Sequence, residues 1–491
     1  MSAIGLLLVL LGIACGKENG PQNSGTRVEV LRVGVGGLPS QTPERGVRQF
    51  VSNISLEGLV RVDQTGRART ALAESLAISP DALSITLRLR PNVTFHDGSP
   101  LSADAVASIL RAGLAQALGP AYEDVDSIAA SGADAVQIRL RHPSPFVTES
   151  LDLPIQKIGA PGIGTAPFIF FPDRTSPNAP GSMRAYDQYY LGTPSVSRIS
   201  ITTYPDIRAA WADLLRDRLD MLYEVGIDAL DSMAGSSRVS VYTFDRPYQY
   251  VVFLNSHSPK LRSPAIRRAL NQAVDRTAIV HDALAGHGTP SSGPVSPHHW
   301  AFNATDAAFD YNPAAAAAAI KTSQEGRLTL RCLTPSEPPY ERLALMLKQG
   351  LYTVGVDLVV EEIKPDNIIP TLAKRDFEAV LVDAASGWSL FRAYRWWHSK
   401  GTQNVAGFAS TSVDDALDRV RHSANDDDYR AGAAAFQKAI AEDPPAIFLA
   451  WGDRSRAVTR RFDVQAEPGR DVLSTLRLWK PANGAARASR N

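Results

Sequence analysis

The sequence predicts a mixed α/β protein built as two or three lobes, and three observations predict it. The chain has 491 residues, roughly three times the ~150 of a typical domain. Apolar runs of strand length alternate with helical stripes along the whole chain, which favours α/β lobes over a single-class fold. Hydrophobic residues make up 44% and charged residues 21%, enough for sizeable cores and unlike a disordered chain. No internal repeat or long low-complexity linker interrupts this pattern.

Residues 27–35 read as the first strand. Ile85, Leu87 and Leu89 alternate with polar residues, as do Val136, Ile138 and Leu140, so both segments read as half-buried strands. Between them Ser102 caps a helix whose inner face carries Val106, Ile109, Leu110 and Leu114. Residues 159–180 are rich in Gly and Pro and form a loop with a short strand at 168–171. Residues 208–222 read as one helix, with Ala209, Ala212, Leu215 and Leu219 together. The run YQYVVFL at 248–254 is a strand buried on both faces. Ser263 and Pro264 open the next helix, and Asn312 and Pro313 open an alanine-rich one. Ser412 and Asp415 are spaced as a capping box. A helix carrying Tyr429, Ala433, Phe436 and Ile440 stops at Pro444-Pro445, and residues 446–451 form another buried strand.

Lys plus Arg number 51 and Asp plus Glu number 51, so the formal net charge is zero. A neutral chain is a poor partner for nucleic acid or an anionic lipid surface. The two cysteines, Cys15 and Cys332, provide neither a disulfide framework nor a cysteine-rich zinc site. Residues 3–14 are an apolar run ending at Cys15. That is too short for a membrane span of ~20 residues and suits the core of a secretory signal. Gly12 and Ala14 before the cysteine, and the polar stretch after it, resemble a bacterial lipoprotein signal. Cys15 would then be lipid-modified, residues 16–26 would be a tether, and Cys332 a lone buried thiol.

Motifs of several catalytic classes are absent. There is no GxxxxGK[ST] phosphate loop, no GxSxG elbow and no HExxH pair, and Gly34, Gly36 and Gly37 do not complete GxGxxG. His298 and His299 could share a metal only on a loop, and Asp97-Gly98 makes Asp97 a turn cap rather than a catalytic partner of His96. No catalysis, cofactor or metal is therefore expected. One enrichment stands out: Trp388, Trp396 and Trp397 fall within ten residues, joined by Phe391 and Tyr394. Such aromatics form either a ligand wall or an aromatic patch within or between lobes.

Several ordered segments resemble the family 5 bacterial extracellular solute-binding proteins, the peptide and nickel receptors of ABC importers. Leu56-Glu57-Gly58-Leu59-Val60, Gly66 and Ala73-Glu74-Ser75 are similar to the family's opening. Residues 89–106, LRPNVTFHDGSPLSADAV, resemble its signature most closely. Gly164-Thr165-Ala166-Pro167-Phe168, Leu254-Asn255, Arg267-Arg268-Ala269-Leu270, Asp275-Arg276, Tyr311-Asn312-Pro313 and Gly387-Trp388 continue in order across about residues 28–465.

The resemblance implies a two-lobed, class II periplasmic-binding-protein-like fold with a peripheral subdomain on the first lobe. Residues 1–26 would be signal and tether. The first lobe would span 27–248, with the subdomain at about 50–165, the second lobe 249–453, and residues 454–491 would return to the first lobe. Crossings near Tyr248 and Asp453 would form a hinge. The implied function is capture of a small solute, most readily a di- or oligopeptide, and its delivery to permease subunits by a monomeric, lipid-anchored, extracytoplasmic protein.

In the family's peptide-binding members an Asp three residues after the Gly-Trp pairs with the peptide's amino group; this chain has Phe391 there. Asp383 is the nearby substitute, or else the ligand is not a free-amine peptide. Trp388, Phe391, Tyr394 and Trp396 are expected to line the cleft, Tyr248 and Asn255 to lie near the hinge, and Asp383 to anchor charge. The competing readings are a non-peptide ligand such as a sugar or metal chelate, a hydrolase using His96 and Asp97, and a surface lipoprotein without an importer.

Overall fold

The computed structural model describes residues 28–37, 43–173, 175, 180–305, 309–323 and 326–482. Cys15 and the tether lie outside the described residues.

An eleven-stranded mixed sheet runs through both lobes. In the first lobe Val28–Gly36 pairs in parallel with Val196–Tyr204 and with Met221–Leu222, and Gly181–Ala185 and Phe168–Pro172 extend the edge. In the second lobe Leu328–Pro335 pairs in parallel with Val356–Ile363 and Ala379–Ala384. Two long antiparallel strands, Val239–Leu254 and Ala446–Thr459, join the halves. Both are longer than their apolar runs suggest. Beyond those runs they carry polar residues, of which Asp245, Arg246, Arg454 and Arg456 line a cavity.

The pairing of these two strands slips twice, between Asp245 and Gln249 and again between Tyr250 and Val251. Asp245 faces Asp453 and Gln249 faces Trp451, so Arg246, Pro247 and Tyr248 stand opposite Gly452 alone. Extra residues on one strand bend it and sharpen its twist. Pro247 has no N–H to give to a ladder and suits such an irregular position.

The peripheral subdomain is a four-stranded antiparallel sheet, ordered Ala73–Ile78, Ser84–Leu89, Ala135–Leu140, Val125–Ala130, covered by helix Ala103–Leu118. Ile85, Leu87 and Leu89 are buried in alternation with exposed Thr86 and Arg88, as the period-two pattern requires. The Ser102 hydroxyl accepts the Ala105 N–H at 3.2 Å. This core is continuous with that of the second-lobe helices Leu390–Trp397, Thr411–Arg421 and Asp426–Glu442. The first lobe keeps a separate core around Val33, Phe50, Ile199 and Trp479.

Two element readings need correction. The helix expected over 208–222 ends at Leu215; Asp217 then takes φ 58° and the chain enters strand Met221–Leu222. Leu219 is buried beyond the helix end, so its apolar character reflected packing rather than helical period. The capping box at Ser412 is displaced: the helix starts at Thr411 with Ser410 in the cap position. In the run Ser410-Thr411-Ser412 every residue can cap, and the backbone, extended at Ser410, decides.

Candidate functional site

A cavity of about 620 Å³ opens where the long strands slip. That size falls in the ~300–1,000 Å³ range of small-ligand sites. Helix Pro43–Ser55 supplies Gln49 and Asn53, the segment leading into the peripheral subdomain supplies Glu57 and Arg61, and the second lobe supplies Trp388 and Arg392. The crossing strands contribute Asp245, Arg246, Tyr248, Arg454 and Arg456. Gly66 lets a turn of the subdomain approach the Trp388 loop: its φ is 83°, and a Cβ there would lie 2.5 Å from the Trp388 carbonyl oxygen.

The wall is densely charged and mostly self-paired. Arg454 Nε lies 3.2 Å from Glu224 and its Nη2 3.4 Å from Asp383. Arg246 stands 4.0 Å from Glu224 and 3.9 Å from Asp383. Burial works against the Arg454 charge, but Tyr250, Glu224 and Asp383 outweigh it and hold the guanidinium well above its ordinary range. Arg456 grips Asp471 with Nε at 2.6 Å and Nη2 at 2.5 Å, and also donates to the Tyr223 carbonyl. Glu57 is pushed up by burial, against the hydroxyls of Tyr189 (2.6 Å) and Thr165 (3.2 Å) that donate to it. Burial likewise raises Asp152, with Arg392 at 3.7 Å opposing.

Of the residues singled out in the sequence, Tyr248 and Trp388 line this cavity. Arg246 stacks 3.9 Å above the Tyr248 ring. Asp383 borders the cavity's ion network, where Arg454 and Arg246 engage its carboxylate. Asn255 holds a turn: its Nδ2 donates to the carbonyls of Arg375 and Phe377, and its Oδ1 accepts from the His257 N–H. Phe391 and Tyr394 are buried against Phe146, with centroids 5.7 and 5.5 Å away. Trp396 stacks on Phe253 at 5.2 Å and donates Nε1 to the Ala385 carbonyl at 3.1 Å. The aromatic cluster therefore divides. Trp388 lines the cavity, Phe391 and Tyr394 pack on Phe146 of the peripheral subdomain, and Trp396 and Trp397 pack within the second lobe on Phe253.

Sequence reasoning passed over Arg61, Asp245, Arg246, Arg454 and Arg456. The available signal was the charged pattern Phe244-Asp245-Arg246 and Asp453-Arg454-Ser455-Arg456, each adjoining a buried strand run.

His96 and Asp97 serve separate structural purposes. His96 Nδ1 accepts the Gly164 N–H at 3.3 Å and Nε2 meets the Ala166 carbonyl at 2.9 Å. Asp97 accepts from the Ser99 N–H and hydroxyl and pairs with Lys157. The signature around His96 thus fastens to the Gly164–Phe168 segment. His299 is buried and His298 exposed, so the two diverge. Cys332 is buried, and burial pushes its thiol up to about 12.

Comparison with known proteins accords with this architecture. Residues 67–405 match the family described as bacterial extracellular solute-binding proteins, family 5 middle region. The oligopeptide-binding protein AppA of Bacillus subtilis is 22% identical over 485 residues, covering 87% of each chain. NikZ of Campylobacter jejuni, solved with Ni(L-His), superposes with a TM-score of 0.79 at 21% identity over 92% of this chain and 99% of that one. The substrate-binding protein CtaP of Listeria monocytogenes gives 0.80 at 21% identity, over 93% and 100%. These structures share the two-lobed periplasmic-binding-protein fold read from the sequence. With the family match spanning well over half of its length, the chain belongs to the family 5 bacterial extracellular solute-binding proteins.

Proposed function

We propose that this chain is the receptor of an ABC importer, capturing a di- or oligopeptide between its lobes and passing it unchanged to the membrane permease. One observation carries the reading: the 620 Å³ cavity takes its walls from both lobes and lies at the first slip in the two strands that join them. A bend there near Tyr248 and Asp453 would open and close the walls around a solute, as in hinged binding proteins. The peptide class is supported by the kinship with AppA, named as an oligopeptide-binding protein, and by a wall offering charged and aromatic groups together.

Capture needs no covalent step, and the chain acts as a binder rather than an enzyme. Lipidation at Cys15 would tether it as an extracytoplasmic monomer beside its permease. The non-peptide alternative is motivated by Phe391, a ring at the position three residues after Trp388 where the family resemblance implies an amine-pairing Asp. Isothermal titration against a library of di- to pentapeptides tests the proposal. Sub-millimolar, one-to-one binding is the expected result. No binding to any peptide, with binding to a sugar or a nickel–histidine chelate, would replace it with the alternative.

A further inference from the structure

The arginines of the cavity wall can be matched one by one with carboxylates. Arg246 and Arg454 share Glu224 and Asp383, Arg392 faces Asp152, Arg456 holds Asp471 and Arg470 pairs with Glu467. Among the described residues of the wall, Arg61 alone has no carboxylate within ion-pair distance, and it is exposed.

The carboxylates leave one over in the same way. Glu57 is held by tyrosine and threonine hydroxyls, and Asp63 by Thr65 and Arg69. Asp152, Glu224 and Asp471 belong to the arginines above. Asp245 meets no cation and accepts no hydrogen bond among the described residues; its partner across the strands is another carboxylate, Asp453. Directly opposed like charges destabilise a strand pair. Burial and the neighbouring Asp245 push Asp453 up to about 6, while His287 and His298 oppose weakly. A cation bound at this pair would relieve the conflict.

We infer that Arg61 and Asp245 anchor the two ends of a zwitterionic ligand, Arg61 taking a terminal carboxylate and Asp245 a terminal ammonium. The inference rests on the peptide-capture reading and gives it a chemical address. It also supplies the counter-charge that Phe391 cannot, since an ammonium enclosed without a partner is costly. The pairing is economical because neither group must leave an existing ion pair to meet the ligand.

The test uses di- to pentapeptides of alanine and leucine in free, N-acetylated and C-amidated forms, titrated by calorimetry into the full chain and into Arg61→Gln and Asp245→Asn. Acetylation should weaken binding about tenfold or more in the wild type and have little effect in Asp245→Asn. Amidation should do the same, with its effect lost in Arg61→Gln. Unchanged melting temperatures would show that both variants fold. Capped peptides that bind the wild type as tightly as free ones, or equal losses in every variant, would overturn the inference and leave peptide capture standing. Failure of every free peptide to bind would overturn the capture reading itself, and the inference with it.

Discussion

Arg421 reaches the Asp124 carboxylate with two nitrogens, Nε and Nη2, each at 2.7 Å, joining helix Thr411–Arg421 to the short 3-10 helix Gly119–Asp124 of the peripheral subdomain, nearly three hundred residues earlier. Asp124 is wholly buried and also accepts from Ser144 and pairs with His422. The pair closes the same seam that Phe391, Tyr394 and Phe146 fill with rings.

Removing one member of such a pair leaves the other charge buried. Arg421→Ala should therefore destabilise the protein by about 3–5 kcal/mol, measured by urea unfolding. Replacing both partners, as in Asp124→Asn with Arg421→Met, should cost less than the single change.

Glu149 provides a pH dependence. It is buried, accepts the Tyr429 hydroxyl at 2.7 Å and the Phe391 N–H at 3.1 Å, and burial pushes it from 4.5 up to about 7. Its folded value lies above its unfolded one, so the folded protein retains the proton between about 4.5 and about 7. The stability of the neutral acid is fully present below that window and lost as pH rises through it, on the order of 3 kcal/mol. Glu149→Gln keeps an acceptor without the charge. Denaturation curves should show a flatter decline from pH 5 to 8 in the variant than in the wild type; parallel declines would contradict this role.

Phe391→Asp places a carboxylate three residues after Trp388, but the structure gives it no path to the cavity. The side chain is 5% exposed and packs on Phe146, with Glu149 at its backbone N–H. The variant should lose about 3 kcal/mol or more, through the lost ring and a second buried carboxyl, with no gain in peptide affinity. Thermal unfolding and titration together check both expectations.

Of the aromatics clustered at 388–397, Trp388 lines the cavity. Trp388→Ala should weaken peptide binding about tenfold or more, as loss of a central aromatic anchor does, while shifting the melting temperature little. Calorimetry and a thermal scan on one sample separate the two effects.

The fold was largely legible because its signals are local. The alternation at Ile85, Leu87 and Leu89, the cap at Ser102 and the Asn312-Pro313 start all reappear as read, with Asn312 Oδ1 accepting the Ala315 N–H at 3.0 Å. The site was legible only in part. Aromatic clustering identified Trp388 but could not separate it from Phe391 and Tyr394, since a ring on a cavity wall and a ring in a packed seam have the same composition. Asp245 and Arg454 were hidden for the opposite reason: their strands continue past the apolar runs into polar residues, and pairing between residues some two hundred positions apart leaves no mark on either segment.

Native mass spectrometry of the full chain, mixed with peptides of known mass and then denatured, addresses capture without chemistry most directly. The expected spectrum shows a single one-to-one adduct that releases a peptide of the mass supplied. Release of hydrolysed fragments, or no adduct with any peptide, would contradict it.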